Sequence, residues 1–200
     1  MKNTLSSEMG FPTDKIQPID WFSNRFIEKV LDYDPTRPTT FEKTMRLLRI
    51  RFEDFTFIDL GSGKGRTLLL ASHYPFQKII GVEPSRHHHT IACDNLRAHR
   101  SADQKCFDVT TVCMDAEHFS MPGGGKVVYL LNPFQTSLMA QVVAGIESAF
   151  KKDPSDLFVV YVNPRSRSVF DASSMLHLVH DEVGSDPYAS FVIYRGTPFC

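Results

Sequence analysis

The residues with the most chemical promise are Asp59-Leu60-Gly61-Ser62-Gly63-Lys64-Gly65-Arg66. Glycines at alternate positions follow a short apolar run and open a leucine-rich stretch. Glycine lets a chain turn sharply, and it lets a ligand touch the backbone because no Cβ intervenes. The start of the helix that follows offers N–H groups to a carboxylate. A P-loop needs Ser or Thr after its lysine, and Gly65 stands there instead. Gly123-Gly124-Gly125-Lys126 fails the same test, with Val127 after the lysine. A dinucleotide fingerprint needs a third glycine where Arg66 stands. The spacing fits a loop that wraps an amino acid and its adenosine. A plain strand-to-helix turn is the simpler reading, but such a turn needs one glycine rather than three.

Glu83 ends the next apolar run, at roughly the 20-residue spacing at which an acid meets ribose hydroxyls. A carboxylate there accepts hydrogen bonds from both hydroxyls; a solvated strand end is the alternative. Met114-Asp115-Ala116 follows a third run. Asp115 can accept the exocyclic amine of adenine while the Ala116 N–H meets a ring nitrogen, or Asp115 can cap its own turn. Leu131-Asn132-Pro133-Phe134 closes a fourth run. Asn132 both accepts and donates hydrogen bonds, and Phe134 can stack on a flat substrate or a sulfonium; a strand end closed by a turn reads equally well. Asn163-Pro164 repeats the pair after a fifth run, where the turn reading is the stronger one. Lys64 and Arg66 either meet a ligand carboxylate or face water. Tyr33, Thr36 and Thr39 either cover the ligand or shape a linker. His87, His88 and His89 are consecutive on a helix, so they point in different directions and imply no metal site.

The elements that position these residues alternate. Strands are expected over 55–60, 78–83, 107–113, 126–131 and 157–162, with helices over 66–72, 86–99 and about 136–150 between them. On the helix over 86–99, Ile91, Cys93 and Leu96 are available for packing. Segments 176–183 and 191–196 flank a turn-like stretch, 184–189, and read as a closing hairpin. Strands alternating with helices imply a mostly parallel sheet covered on both faces. Such sheets bind ligands beyond the carboxyl ends of their strands. Residues 1–50 differ from the rest. Apolar residues at helical spacing over 18–31 precede a proline break, and Thr39 or Thr40 is placed to cap a second helix reaching Ile50.

Apolar residues make up 42% and charged residues 22%, ordinary for a soluble globular chain, and the net charge is -1. No basic run supports a nucleic-acid surface. No apolar run reaches transmembrane length, and residues 1–8 are polar. Cys93, Cys106, Cys113 and Cys200 form no CxxC pair, so reduced thiols in the cytoplasm are the expectation.

Over residues 40–200, the glycine loop, Glu83, Asp115 and Asn132-Pro133-Phe134 resemble the class I S-adenosylmethionine-dependent methyltransferases. Asn132-Pro133-Phe134 is also similar to the [Asn/Asp]-Pro-Pro-[Tyr/Phe] motif of amino-methyltransferases, without its second proline. Together with the Tyr33-Asp34-Pro35-Thr36 segment, these motifs resemble one bacterial branch of the family. The resemblance implies a Rossmann-like, doubly wound, mostly parallel seven-stranded α/β sheet with an antiparallel C-terminal hairpin. A helical arm or lid over 1–50 would precede a donor-binding domain over 51–200. It implies S-adenosyl-L-methionine as cofactor, with S-adenosyl-L-homocysteine as product. Asp59, Gly61, Ser62, Gly63, Gly65, Glu83, Asp115, Ala116 and Asn132 would bind it. Asn132 and Phe134 would serve in-line methyl transfer to a small molecule or a protein side chain. The alternative keeps the fold and drops the chemistry, leaving a sensor or partner subunit that binds the cofactor or a related nucleoside. A nicotinamide oxidoreductase has the wrong glycine spacing.

Overall fold

A computed structural model describes residues 36–131 and 135–197. Its centre is one seven-stranded sheet in the order β3-β2-β1-β4-β5-β7-β6. The strands are β1 (Phe55–Leu60), β2 (Lys78–Val82), β3 (Val109–Val112), β4 (Gly125–Leu131), β5 (Leu157–Val162), β6 (Leu176–Glu182) and β7 (Phe191–Gly196). The first five run parallel, and β7 lies antiparallel between β5 and β6. The doubly wound sheet and its closing hairpin are as expected from the sequence. Among the described residues no helix is long and apolar enough to cross a membrane.

β1 and β5 are buried along their whole length because helices cover both sheet faces. Side chains alternate between the faces. Ile58, Leu60, Val128, Leu130 and Tyr161 pack with Leu138, Met139, Val142 and Ile146 of α4 (Thr136–Lys152). Phe57, Val127, Tyr129 and Val160 pack on the other side with α1 (Pro38–Leu48) and α2 (Arg66–Ala71). Phe41 of α1 is fully buried, and its ring meets those of Phe57, Tyr74 and Tyr129 at 5.6–5.9 Å. Phe41, Met45 and Leu48 thus belong to the same core as the sheet. Residues 1–35, which include the helix expected over 18–31 and Tyr33, lie outside the described residues.

Three local expectations are corrected. Neither Thr39 nor Thr40 caps α1. The helix starts at Pro38, whose fixed φ suits a first helical position, and no side chain caps it. Thr40 Oγ1 instead donates to the Tyr188 carbonyl at 2.9 Å. The Arg37–Asp186 ion pair at 2.7 Å and Lys43–Glu182 at 2.9 Å add to this tie between α1 and the hairpin. Second, α3 (Arg86–Ala98) buries Ala92 and Asn95; Leu96, half-buried, packs against the core as expected, while Ile91 and Cys93 stay half-buried. This helix packs over the glycine bend, where only a small residue fits. A Cβ on Gly65 would stand 3.2 Å from the Ala92 Cβ, and Asn95 Nδ2 donates to the Lys64 carbonyl at 2.9 Å. Third, α5 (Arg167–Asp171) was not expected, because five residues are too few to show a helical period. It places Phe170 against Tyr161 and Tyr194, with ring centroids 5.2 and 5.3 Å away.

Gly81 of β2 sets how closely α2 approaches the sheet. A Cβ there would fall 2.6 Å from Leu68 Cδ1 and 2.7 Å from Ser62 Oγ. Both neighbours are buried, which leaves them little room to shift. Gly81→Ala is therefore expected to destabilise the fold by about 1–3 kcal/mol through overpacking, read as a lower midpoint in urea. An unchanged midpoint would mean that the bend yields.

Candidate functional site

The glycine bend, Glu83 and the Asp115-Ala116 step follow the carboxyl ends of β1, β2 and β3. After β1 the chain bends through Gly61, Gly63 and Gly65, with φ of 87°, 52° and 83°. Side chains rarely adopt these angles, so the alternate glycines are a backbone requirement. The Gly61 and Ser62 N–H groups donate to the Val82 carbonyl at 2.8 and 3.1 Å, and Gly65 N–H donates to the Ser62 carbonyl at 2.9 Å. The bend is thus tied to the end of β2. Lys64 and Arg66 are 0% and 3% exposed, so neither faces water.

Glu83 follows directly on β2 and is 4% exposed. Its Oε2 accepts from the Gly63 N–H and its Oε1 from the Ser85 N–H, both at 2.8 Å. His88 Nδ1 stands 3.7 Å from Oε1. Ser85 caps α3 by accepting from the His88 N–H at 3.3 Å. The solvated-strand-end reading of Glu83 is therefore wrong. A carboxylate oxygen has two lone pairs, so each retains acceptor capacity beyond its backbone bond. The carboxylate is fixed before any ligand arrives and can still accept two hydroxyls. Its clamp partners, Ser85 and His88, went unnoticed in the sequence, although serine before a helix is a recognisable cap.

Asp59 is 3% exposed and pairs in register with Tyr129 across β1 and β4. Burial raises its pKa to about 8, against a lowering hydrogen bond with Thr67 and with a smaller upward push from the Glu83 charge. Thr67 in turn shares a 2.8 Å hydrogen bond with Thr36, so the start of the described chain reaches the floor of the bend. Tyr129 is fully buried, and its phenol is pushed upward by burial and by Asp59.

Asp115 and Ala116 lie beyond β3, where a short helical turn covers Ala116–His118. Asp115 does not cap that turn with its side chain, which removes the simpler reading of the residue. Ala116 is nearly buried, and Glu83 N–H donates to the Val112 carbonyl at 3.0 Å, which joins this edge to the clamp. Ligand atoms of Asp115, Glu117 and His118 come within 4.8 Å of one another, a grouping not foreseen from the sequence. Asn132 and Phe134, the expected catalytic pair, lie outside the described residues. A groove of about 670 Å³ opens at the opposite, amino edge of the sheet, lined by Arg49, Phe55, Phe158 and Arg195 among others. It is remote from all of these groups.

The Asp59 environment sets a pH dependence. A carboxyl whose pKa is raised on folding stabilises most below its unfolded pKa, and the contribution is lost as pH rises through the folded value. Wild type should therefore lose stability relative to Asp59→Asn between about pH 4 and pH 8, and the gap should level off above that. Melting curves of both proteins across this range test it. A gap independent of pH would show that Asp59 is ionised throughout.

No family model matches the sequence, and no curated protein matches it. Solved structures do. The chain is similar to TrmN from Thermus thermophilus at 14% identity, covering 79% of this chain and 48% of that one, with a TM-score of 0.59. An RNA methyltransferase from Salinibacter ruber in complex with S-adenosyl-L-homocysteine shares 15% identity over 82% of this chain and 92% of that one, with a TM-score of 0.55. Magnesium protoporphyrin IX methyltransferase (ChlM) from Synechocystis, with bound SAM, shares 11% over 96% and 91%, with a TM-score of 0.59. The chain spans about half the length of TrmN and most of the other two. Strand order, strand direction and these likenesses establish that the chain has the fold of the class I S-adenosylmethionine-dependent methyltransferases.

Proposed function

We propose that this chain binds S-adenosyl-L-methionine in the glycine bend and transfers its methyl group to an acceptor at the carboxyl edge of the sheet. The observation that carries this reading is Glu83: buried, held by two backbone N–H groups, and with one acceptor position left on each oxygen. That arrangement suits the two hydroxyls of a ribose. Asp115, whose carboxylate is not spent on its own turn, suits the adenine amine, with the Ala116 N–H beside it. Gly61, Ser62, Gly63 and Gly65 bring the backbone close to the amino-acid part of the donor, with Asp59 beneath. Two structural neighbours hold the donor or its demethylated product, which supports the choice of ligand.

When bound, the donor supplies a sulfonium methyl whose carbon–sulfur bond breaks with the electron pair left on sulfur. The chain contributes position. Holding two reactants in line can supply about 7–11 kcal/mol of the barrier, without a metal or a covalent intermediate. In this reading Asn132 orients the nucleophile, Phe134 shapes its pocket, and the segment before α1 shields the donor from water.

Calorimetry with S-adenosyl-L-methionine tests the proposal. Wild type should bind it, and Glu83→Ala should bind about 100-fold more weakly or worse, because each hydrogen bond to the carboxylate contributes about 1.5–3 kcal/mol. Equal affinity in the variant, or no binding by wild type, would overturn the reading. Methyl incorporation from labelled donor into cell fractions then separates an enzyme from a sensor, which binds without turnover.

A further inference from the structure

We infer that the groove at the amino edge of the sheet is a second ligand site, for a small molecule that carries one oxyanion on a flat apolar body. It stands apart from the methyl-transfer reading, whose residues follow the opposite ends of the strands. The lining comes from the end of α1, the starts of β1 and β5, and the hairpin strands β6 and β7. Its volume of about 670 Å³ falls within the range of small-molecule pockets, roughly 300–1,000 Å³.

The floor of the groove is apolar. Phe55, Phe158 and Ile193 belong to the core beneath α1, and Ile50 packs against it. The Phe55 and Phe158 rings lie 6.0 Å apart, and the Arg195 guanidinium sits 5.5 Å over Phe158. Phenyl and guanidinium surfaces are flat and accept a flat partner by stacking. The rim is charged. Arg49, Arg51 and Arg195 stand against Asp54 and Asp156, which leaves one guanidinium in excess. Arg51 meets Asp54 at 3.6 Å, and Arg195 meets Asp156 at 3.0 Å. Both pairs are exposed, so each holds weakly. The Arg49 guanidinium makes no hydrogen bond or ion pair among the described residues. Its planar fork of donors fits a carboxylate, a sulfonate or a phosphate.

Two backbone irregularities occur at residues that line this groove. Arg49 ends α1 with φ 51° and ψ 44°, in the left-handed region. Glycine takes that place at no steric cost, whereas a side chain there is strained. The second irregularity is in β6. Leu178 pairs with Tyr194 and His180 with Ile193, so Val179 is the extra residue of a bulge. Side chains alternate along a strand, so without the bulge His180 would share the face of Leu178 and Tyr194. The extra residue turns His180 onto the face of Ile193, where it lines the groove and its ring stacks on Phe191 at 5.5 Å. Val179 itself stays 55% exposed in the groove wall. Both irregularities thus carry a cost to backbone regularity and place a polar side chain in one concavity, a pairing typical of binding sites.

The probe that tests this is anilinonaphthalene sulfonate, an aromatic body with one sulfonate, titrated by fluorescence into the full chain. Wild type should bind one molecule per chain. Its uncharged relative, phenylnaphthylamine, should bind at least about tenfold more weakly, because it offers the guanidiniums no partner. Arg49→Gly keeps the left-handed turn and removes the guanidinium. It should melt at or above wild type while sulfonate affinity falls at least about tenfold. Val179→Glu puts a carboxylate in the groove wall to compete with the sulfonate, and should weaken it likewise; should the glycine variant melt early, this variant carries the comparison. Val183→Glu, at a residue 86% exposed and outside the groove lining, should bind the sulfonate as wild type does. No binding by wild type, or unchanged affinity in Arg49→Gly, would overturn the inference. Equal binding of the two probes would overturn it too, by reducing the groove to an apolar surface. So would affinity that falls as the chain is concentrated, the sign of a second copy covering the groove.

Discussion

The carboxylate of Glu83 is the constraint on which the candidate site depends. A buried charge is tolerated only where it is hydrogen-bonded. Glu83 meets that requirement by holding the Gly63 and Ser85 N–H groups, which belong to the bend after β1 and the cap of α3. One side chain thus joins two segments that are far apart in sequence. The joint is closed from the other side by Ala92 against Gly65 and by Asn95 on the Lys64 carbonyl. Left-handed glycines let the bend lie flat enough for all of these contacts to form together.

Asp59 and Glu83 show how the same kind of group is used in two ways. Glu83 is surrounded by backbone donors. Asp59 is buried with a threonine hydroxyl and an upward push from Glu83, so burial dominates and its pKa lies near 8. For Asp59, burial outweighs both the threonine hydrogen bond and the neighbouring charge.

Much of the fold was legible in the sequence. The bounds of β1, β5 and β7 follow from continuous apolar runs closed by turn residues, and the closing hairpin from its turn-rich connection. The face of α3 was not legible. Periodicity points to Ile91, Cys93 and Leu96; Leu96 does pack against the core, but the helix rests on a glycine bend rather than a leucine-lined strand, so a small residue and an amide are the ones fully buried. α1 was misread at its cap, because the hydroxyl of Thr40 finds the Tyr188 carbonyl far along the chain.

The sequence by itself determined the alternation of elements, the glycine bend and the acid at the end of the second strand. These are local facts: apolar periodicity, backbone freedom at glycine, and residue order. The tertiary structure alone decided which N–H groups Glu83 holds, that Asp59 is buried beside it, and that Lys64 and Arg66 turn inward. Each of these depends on groups brought together across the sheet. Burial and hydrogen bonding are set by neighbours in space, which a one-dimensional pattern does not specify.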